Sequence, residues 1–296
     1  MRRDAFSQIH PSVSFGFFAA VMLITAFVLH PAVTGISLVS ACIYTVVLKG
    51  RKALLFDVLA VLPFIVFVAV LNPLFNHEGM TTLFYLRNGN AVTKEAVVYG
   101  LVSACMFAAL IMWFYCMNAV MTSDKVIFLF GRVIPVLSLI FSMVLRFVPR
   151  LLNRISEVSA ARRSVAPPAK KGLISGLRHG ISVLSVTVTW ALESAVTMSD
   201  SMRSRGYGQR GRTSYALFRF TPRDAVMTAA LAVSCAGSVA AMAAKRIGFR
   251  FYPSIKAVPM NVPGALGLAA FCVLCLLPVI LDVKENLSWR IISSKL

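Results

Sequence analysis

The sequence predicts an all-α fold: a polytopic bundle of about six membrane-spanning helices that carries two long amphipathic helices on its cytoplasmic side. Hydrophobic residues make up 58% of the 296 residues and charged residues only 14%, whereas a soluble domain has about 45–50% apolar and roughly 25% charged residues. The apolar residues form several runs long enough to cross a bilayer. The net charge of +19 comes mostly from basic residues between those runs, a pattern typical of membrane proteins.

Six apolar segments are predicted to span the membrane, since a spanning helix needs about 20 mostly apolar residues. His30-Pro31 separates the first two, because a proline inside a helix removes a hydrogen bond. Arg2-Arg3 and the loop Lys49-Gly50-Arg51-Lys52 are basic, which favours a cytoplasmic location for both. The predicted spans lie near residues 13–29, 32–48, 53–71, 95–121, 225–243 and 264–282.

The number of spans, counted from a cytoplasmic N-terminus, predicts on which side of the membrane each connecting segment lies. Residues 72–94 are predicted to be the outer connection between the third and fourth spans, folded back against the bundle because they are too apolar for a solvated loop. The apolar run 126–148, interrupted by Pro135, is predicted to be interfacial or re-entrant. Both termini are then cytoplasmic. The loop 244–263 would lie outside despite its basic residues, against the positive-inside bias. These residues are Lys245, Arg246, Arg250 and Lys256.

The region 145–224 has the highest concentration of charge. It holds 14 Lys and Arg residues against 4 acidic residues, a net charge of +10, which predicts a cytoplasmic location. The chain is therefore divided into a transmembrane bundle over 1–125, an interfacial and cytoplasmic region over 126–224, and a transmembrane pair with a tail over 225–296.

Two long helices are predicted in that region, over 145–165 and 172–205. Apolar residues recur there at steps of three and four, the period of an amphipathic helix, and Pro167-Pro168 separates the two patterns. Two such helices on the cytoplasmic side indicate a docking platform under the membrane. The apolar stripe of the second helix includes Leu177, Ile181, Leu184, Val188 and Leu192.

Each of these helices ends in a short arginine motif. The first reads Ala160-Ala161-Arg162-Arg163-Ser164, and the second reads Met202-Arg203-Ser204-Arg205-Gly206-Tyr207-Gly208. An arginine at a helix C-terminus interacts favourably with the helix dipole and can bond free carbonyl groups. It also presents a planar, permanently charged group to a carboxylate on a partner. From spacing alone, contact with lipid phosphates or water is the alternative to a protein partner.

The two motifs resemble the Ala-Arg-Gly-type motifs of T components in energy-coupling factor transporters. The resemblance implies that each motif ends a coupling helix that inserts into a groove on one of two ATPase subunits. The central arginines would be Arg163 and Arg205, although Arg162 is the alternative in the first motif, which departs from the family pattern. The flanking positions of the two contacts are Arg162, Ser164, Ser204 and Gly206.

Three further phrases extend the resemblance over residues 10–225. They are His10-Pro11, then Asn72-Pro73-Leu74-Phe75 with His77 and Gly79, and Leu145-Arg146-Phe147-Val148-Pro149. The family implies three partners: two ABC ATPase subunits and a substrate-binding membrane subunit, the S component, with the apolar stripe of the second long helix as its docking surface. The small residues Ala225, Ala229, Gly237 and Ala241 form a second stripe, for which either the S component or packing within the chain is expected.

Other motifs fail on their context. Gly206-x-Gly208-x-x-Gly211 follows a helix rather than a strand, so it is not a dinucleotide fingerprint. The sequence contains no Gly-x4-Gly-Lys-Ser/Thr loop, so ATP is expected to bind to partner subunits. Cys272-x-x-Cys275 lies in an apolar run and is expected to pack there. The four histidines lack ligand spacing, and no metal site or cofactor is predicted. The charge pattern is not that of a nucleic-acid binder.

The sequence thus predicts a non-catalytic, multi-pass subunit of a cell-membrane importer for a vitamin or a transition metal, with ATP hydrolysed by its partners. One alternative is a conventional ABC importer permease with its own substrate pathway, for which one cytoplasmic coupling helix is expected rather than two. Another is a membrane-embedded enzyme, which needs convergent His, Asp or Glu side chains. The nutrient itself stays open, because its recognition would lie on another chain.

Overall fold

The computed structural model is almost entirely helical, which confirms the predicted fold class. It describes residues 6–50, 55, 59, 61–85, 91–131, 134–165, 173–207, 209, 218–244, 248–257 and 261–293. A 3-10 helix, Phe6–Gln8, precedes the α-helices of these ranges: α1 Pro11–Phe27, α2 Pro31–Lys49, α3 Leu62–Phe75, α4 Lys94–Val120, α5 Ser123–Gly131, α6 Pro135–Val165, α7 Leu173–Ser204, α8 Pro222–Ala243 and α9 Val262–Ser293. Two antiparallel hairpins pair β1 Thr82–Tyr85 with β2 Ala91–Thr93 and β3 Phe249–Arg250 with β4 Lys256–Ala257.

The chain forms two compact units. Unit 1 comprises Met1–Lys125 together with Phe218–Leu296, and unit 2 comprises Val126–Leu217. The first unit contains α1 to α4, α8 and α9, with both hairpins. The second contains the two long helices α6 and α7, which carry the arginine motifs.

Helices α1 and α2 of unit 1 begin by the same local device. Each starts with a proline, whose fixed φ and missing N–H suit the first helical position. In both cases the preceding histidine caps the helix: Nδ1 of His10 accepts from the backbone N–H of Ser12 at 3.4 Å, and Nδ1 of His30 accepts from that of Ala32 at 3.1 Å. The predicted break at His30-Pro31 is therefore the start of α2.

The centre of unit 1 is aromatic, with a short polar chain inside it. Phe17, Tyr44 and Trp113 are fully buried, and the Phe17 and Trp113 rings meet edge-on with centroids 5.7 Å apart. Nε1 of Trp113 donates to Oγ of Ser37 at 3.0 Å, and that oxygen also lies 2.9 Å from Oγ1 of Thr25. These bonds join α1, α2 and α4 and leave no unpaired polar atom in the chain of three, as burial in apolar surroundings requires.

Contacts between distant parts of the chain define two ends of unit 1. At one end, the backbone N–H of His10, just before α1, donates to Asp224 in the first turn of α8 at 3.1 Å. At the other end, Nδ2 of Asn76, just after α3, donates to the Tyr252 hydroxyl at 2.8 Å, and the ring of Tyr99 in α4 lies 5.4 Å from that of Tyr252. Burial raises the pKa of the Tyr252 hydroxyl. Helices α1 and α8 therefore start at one end, whereas α4 starts at the other.

Length and composition qualify six helices of the described chain as able to cross a membrane: α2, α4, α8, most of α9, and also α6 and α7. The first four coincide with the predicted spans near 32–48, 95–121, 225–243 and 264–282. The span near 13–29 is the shorter apolar helix α1, and α3 covers the end of the span near 53–71, whose start lies outside the described residues. The most apolar windows of α6 and α7 have mean hydropathies of 1.5 and 1.4, the lowest of the six.

The apolar run 126–148 is divided close to Pro135, as predicted, but the predicted start of the first long helix is wrong. Helix α5 ends at Gly131, and α6 begins at Pro135 and continues to Val165, so the first long helix starts earlier than the predicted residue 145. Pro135 occupies the first turn, where its missing N–H is not needed, and Pro149 lies inside α6. Several predicted features lie outside the described residues: Lys52, Pro167-Pro168, Gly208, Gly211, Lys245 and Arg246.

The connection between α3 and α4 contains a β-hairpin that was not predicted from the sequence. Its apolar residues Leu83, Phe84 and Tyr85 are 57–69% exposed, so these side chains do not pack against the bundle, whereas Val92 and Thr93 of the second strand are buried. The attachment of this segment is polar instead. The carboxylate of Glu95, in the first turn of α4, accepts a hydrogen bond from the Thr81 hydroxyl at 2.6 Å and another from its backbone N–H at 3.3 Å.

Candidate functional site

Helices α6 and α7 form a helical pair within unit 2. The rings of Phe147 and Trp190 stack with centroids 6.0 Å apart and planes inclined by 12°. Val183 and Thr187, on the same side of α7 as Trp190, are buried. The Thr187 hydroxyl donates to the backbone oxygen of Val183 at 2.7 Å, so this side chain brings no unpaired polar group into the contact. One face of α7 thus packs against α6.

At the end of α6, the two arginines of the first motif have different surroundings. Nη1 of Arg162 donates to the backbone oxygens of Arg178 at 3.2 Å and His179 at 2.7 Å on α7, and Oγ of Ser159 lies 3.2 Å from Nε2 of His179. The next residue, Arg163, is exposed, and among the described residues it makes no hydrogen bond or ion pair.

The end of α7 is closed by backbone hydrogen bonds around a glycine. Gly206 has a φ of +72°, its N–H donates to the oxygen of Arg203 at 3.0 Å, and the N–H of Tyr207 donates to that of Met202 at 3.1 Å. This pair of bonds is a Schellman motif, which requires a left-handed residue at the position of Gly206. It stops the helix directly after Arg205, whose side chain is exposed.

The serines of both motifs bond to their own helices. Oγ of Ser164 donates to the oxygen of Ala160 at 3.2 Å, and Oγ of Ser204 donates to that of Ser201 at 2.9 Å. Both hydroxyl groups are therefore satisfied locally, and the charged groups at the two helix ends are the guanidinium groups. Arg162, Arg163 and Ser164 thus lie in the last turn of α6, and Ser204, Arg205 and Gly206 lie at the end and cap of α7.

The predicted apolar stripe on α7 is exposed. Its members lie on the side of α7 opposite to Val183 and Thr187, with 48–66% of their surface accessible. Side chains of this kind lose stabilisation when left in water, so the stripe is suited to a lipid or protein contact. The stripe consists of Leu177, Ile181, Leu184, Val188 and Leu192.

A groove of about 770 Å³ lies between α6 and α7. Its charged lining includes Arg146 and Arg150 from α6, together with Glu193 and Arg205. The guanidinium groups of Arg150 and Arg154 both lie 5.5 Å from the centre of the Trp190 ring. The sequence analysis did not predict this groove. The spacing of four between the α6 arginines was visible, but nothing in the sequence pairs them with Trp190.

The small residues of the stripe on α8 fall into two groups, one packed within the chain and one exposed. Ala241 is buried, and a Cβ on Gly237 would lie 3.5 Å from Ala270 of α9, which is packing within the chain. Ala225 and Ala229 are exposed. In the part of the chain that the structure describes, no group of His, Cys, Asp or Glu side chains is arranged to hold a metal ion.

Comparison with known proteins gives two similarities. The family model of the cobalt transport protein CbiQ matches residues 6–215, a range that includes both long helices and both arginine motifs. The chain is also similar to the energy-coupling factor transporter transmembrane protein EcfT of Lactobacillus helveticus (strain DPC 4571), with 33% identity over 95 residues, which cover 31% of this chain and 34% of that protein. The alignment therefore spans about a third of that relative's length.

Proposed function

Because the chain belongs to the CbiQ cobalt transport protein family, as a multi-pass membrane component of the energy-coupling factor type, we propose that it couples ATP hydrolysis on two partner ATPases to the movement of a membrane-embedded S component. In this proposal the chain is not itself a catalyst. It lacks a Gly-x4-Gly-Lys-Ser/Thr loop in its sequence, and the ATPases supply the motion. The cargo is a vitamin or a transition-metal ion, and Co²⁺ is the first to test because the matched family is named for cobalt transport.

The observation that carries the proposal is that each long helix of unit 2 ends at an exposed arginine. Arg163 lies in the last turn of α6 beside an arginine that is bound to α7, and Arg205 lies between the last residue of α7 and its glycine cap. A guanidinium group in this position can bond a carboxylate in a bidentate manner, which makes it suited to a groove on a partner. Movement of two ATPase subunits would then be transmitted along α6 and α7 as rigid elements.

The exposed apolar stripe of α7 supplies the second contact of the mechanism. A membrane-embedded S component that packs on Leu184 and its neighbours would move when α7 moves, and would release its cargo on the inner side. Burial of apolar surface contributes about 25 cal/mol per Å², so a contact of this kind provides affinity. The opposite face of α7 is occupied by α6, which leaves the stripe for a partner.

Co-purification in mild detergent tests this proposal against its alternatives. The wild-type chain is expected to retain two ATPase subunits and a small membrane protein. The variant R163E/R205E is expected to lose the ATPases, because it reverses both charges. The control R178E/R219E makes the same change of charge at two other exposed arginines and is expected to retain them. If R163E/R205E leaves both assembly and ATP-driven uptake intact, the proposal is wrong. ATPases without a small membrane protein would indicate a conventional permease, and the absence of both would indicate the enzyme alternative.

A further inference from the structure

We propose that the groove between α6 and α7 binds the headgroup of an anionic phospholipid. The charge of its lining is the first reason. Arg146, Arg150 and Arg205 line the groove together with Glu193, so the basic groups exceed the acidic one by two. All three arginines are exposed, and in the described part of the chain none of them makes an ion pair. A phosphate group is a good ligand for such guanidinium groups, which bond its oxygens in a bidentate manner.

The shape of the groove favours a phosphodiester that is joined to apolar carbon. Arg146 and Arg150 are one helical turn apart on α6, which separates their positions by about 6 Å along the axis. Beside them lie the stacked rings of Phe147 and Trp190, together with the side chains of Met143, Met198 and Met202. Methionine and aromatic side chains fit irregular apolar ligands. A free phosphate ion would make no favourable contact with this apolar wall, whereas the glycerol and the upper acyl carbons of a lipid would pack against it.

The groove lies at the point along α6 where the exposed side chains change from apolar to basic. Over about three turns N-terminal to Arg146, the exposed side chains are apolar except for Ser142, and from Arg146 onward Arg150 and Arg154 follow at steps of four. A helix of this kind lies at the boundary between hydrocarbon and headgroups, because basic residues near the membrane surface attract anionic lipids. The exposed apolar residues are Val136, Leu137, Leu139, Ile140, Phe141, Val144 and Leu145.

The inference goes beyond the proposed function and shares only Arg205 with it, since the phosphate is bound by Arg146 and Arg150, which the ATPase contact does not use. It requires that the chain lies in a membrane, but not that an ATPase or an S component binds to α6 or α7. Binding is therefore measured on the purified full chain without partners. Failure of the lipid proposal would leave the co-purification experiment unaffected, and the reverse also holds.

Native mass spectrometry of the full chain in detergent tests the proposal, with phosphatidylglycerol and phosphatidylcholine as probes. Wild-type protein is expected to retain phosphatidylglycerol in preference to phosphatidylcholine. In R146Q/R150Q this retention is expected to weaken by about tenfold or more, since hydrogen bonds to two charged groups are lost. The control R178Q/R219Q removes the same charge outside the groove and is expected to bind as wild type does. Equal retention of both lipids, or undiminished retention in R146Q/R150Q, would overturn the proposal.

Two further experiments serve as controls. A second variant shows whether a loss of lipid binding comes from misfolding, and a competing ion shows whether the groove binds free phosphate instead of a lipid. Met198→Glu places a negative charge inside the groove without touching an arginine, and it is expected to weaken retention of phosphatidylglycerol even if R146Q/R150Q fails to fold. Unchanged retention in Met198→Glu would contradict the proposal. Millimolar inorganic phosphate is expected to leave the lipid bound, and displacement by phosphate would identify an ion site instead of a lipid site. Helix content by circular dichroism shows which variants are folded.

Discussion

Arg162 of α6 donates a hydrogen bond of 2.7 Å to the backbone oxygen of His179 on α7. This bond gives the two adjacent arginines of the first motif different surroundings, because Arg163 is exposed. The alternative left by the sequence, that either of the two is the central coupling residue, can now be expressed in structural terms. Arg162 bonds α6 to α7, and the exposure of Arg163 favours it as the central arginine of the proposed contact.

The variant Arg162→Gln is therefore expected to loosen the helix pair, whereas Arg163→Gln is not. Loss of hydrogen bonds from a charged donor to two carbonyls costs about 1 kcal/mol for a half-exposed group, so the thermal unfolding midpoint of R162Q falls. Arg163→Gln is expected to leave the midpoint unchanged and to weaken retention of the ATPases. Thermal melts of both purified variants measure the first effect and co-purification the second. A lower midpoint in R163Q and not in R162Q would contradict this division of roles.

Gly206 is expected to be sensitive to substitution because of its backbone conformation, and not because a side chain would lack room there. Its φ of +72° lies in the left-handed region, and a Cβ there would approach only the flexible side chain of Gln209, at 3.3 Å. Gly206→Ala is expected to cost about 1 kcal/mol and to fray the cap that follows Arg205. Reduced retention of one ATPase, together with a lower melting midpoint, is the expected result.

The matched control for this substitution is Gly176→Ala in the same helix. Gly176 has no neighbour within 4 Å of an added Cβ, and alanine is a better helix former than glycine by roughly 0.5–1 kcal/mol. This variant is therefore expected to raise the melting midpoint slightly. If both alanine variants behaved alike, the cap would not be the reason for the effect at Gly206.

The apolar stripe of α7 is expected to be the surface that the S component requires. Leu184 is 59% exposed, so Leu184→Glu adds a charge without disturbing a buried site. It is expected to reduce retention of the small membrane protein by about tenfold or more, because a charge would be buried without a partner, and to leave the ATPases bound. Thr189→Glu adds the same charge at an exposed position off the stripe. Equal loss of the small membrane protein in both variants would indicate a charge effect instead of a specific surface.

The sequence predicted those elements whose signals are local. The start of α2 follows from a histidine and a proline that are adjacent in the chain, and the stop of α7 follows from Gly206. Helix α6 begins earlier than predicted, at Pro135, because a proline in the first turn was interpreted as an interruption of the apolar run. A proline that begins a helix and one that breaks it have the same sequence signal when both sides are apolar.

The features that were missed depend on contacts between distant residues. Strand β1 has exposed side chains throughout and no alternating pattern that faces a core, and the attachment of the hairpin requires Glu95 to reach back to Thr81. The groove in unit 2 requires Trp190 to meet the arginines of α6, across the connection between the two helices. Periodicity identifies the face of one helix, but it does not identify which residue on another helix will meet that face.

Gly79 is expected to be the most sensitive position in the connection between α3 and α4. Its φ is +144°, and a Cβ there would lie 2.7 Å from both Oε2 of Glu95 and Oγ1 of Thr93. Both atoms belong to the hydrogen bonds that attach the segment, so Gly79→Ala is expected to cost about 2 kcal/mol through strain and broken bonds. Gly35→Ala, where an added Cβ meets nothing within 4 Å, is the control in the same unit. Thermal melts compare the two, and equal midpoints would show that the polar attachment contributes little.

The orientation of the chain in the membrane is the prediction on which the coupling mechanism depends. Unit 1 has two ends, and the end that holds Asn76 and Tyr252 also holds the hairpin with Arg250. That end is expected to be outside, although its basic charge goes against the positive-inside bias, because the more basic region 145–224 must face the ATPases. Ser156→Cys in α6 and Arg250→Cys in β3 place single exposed thiols in these two regions. In right-side-out vesicles, a membrane-impermeant maleimide is expected to label R250C at once and S156C only after permeabilisation, with the parent chain as the blank. Labelling of S156C in sealed vesicles at the rate of R250C would put the arginine helices on the wrong side of the membrane for any cytoplasmic ATPase.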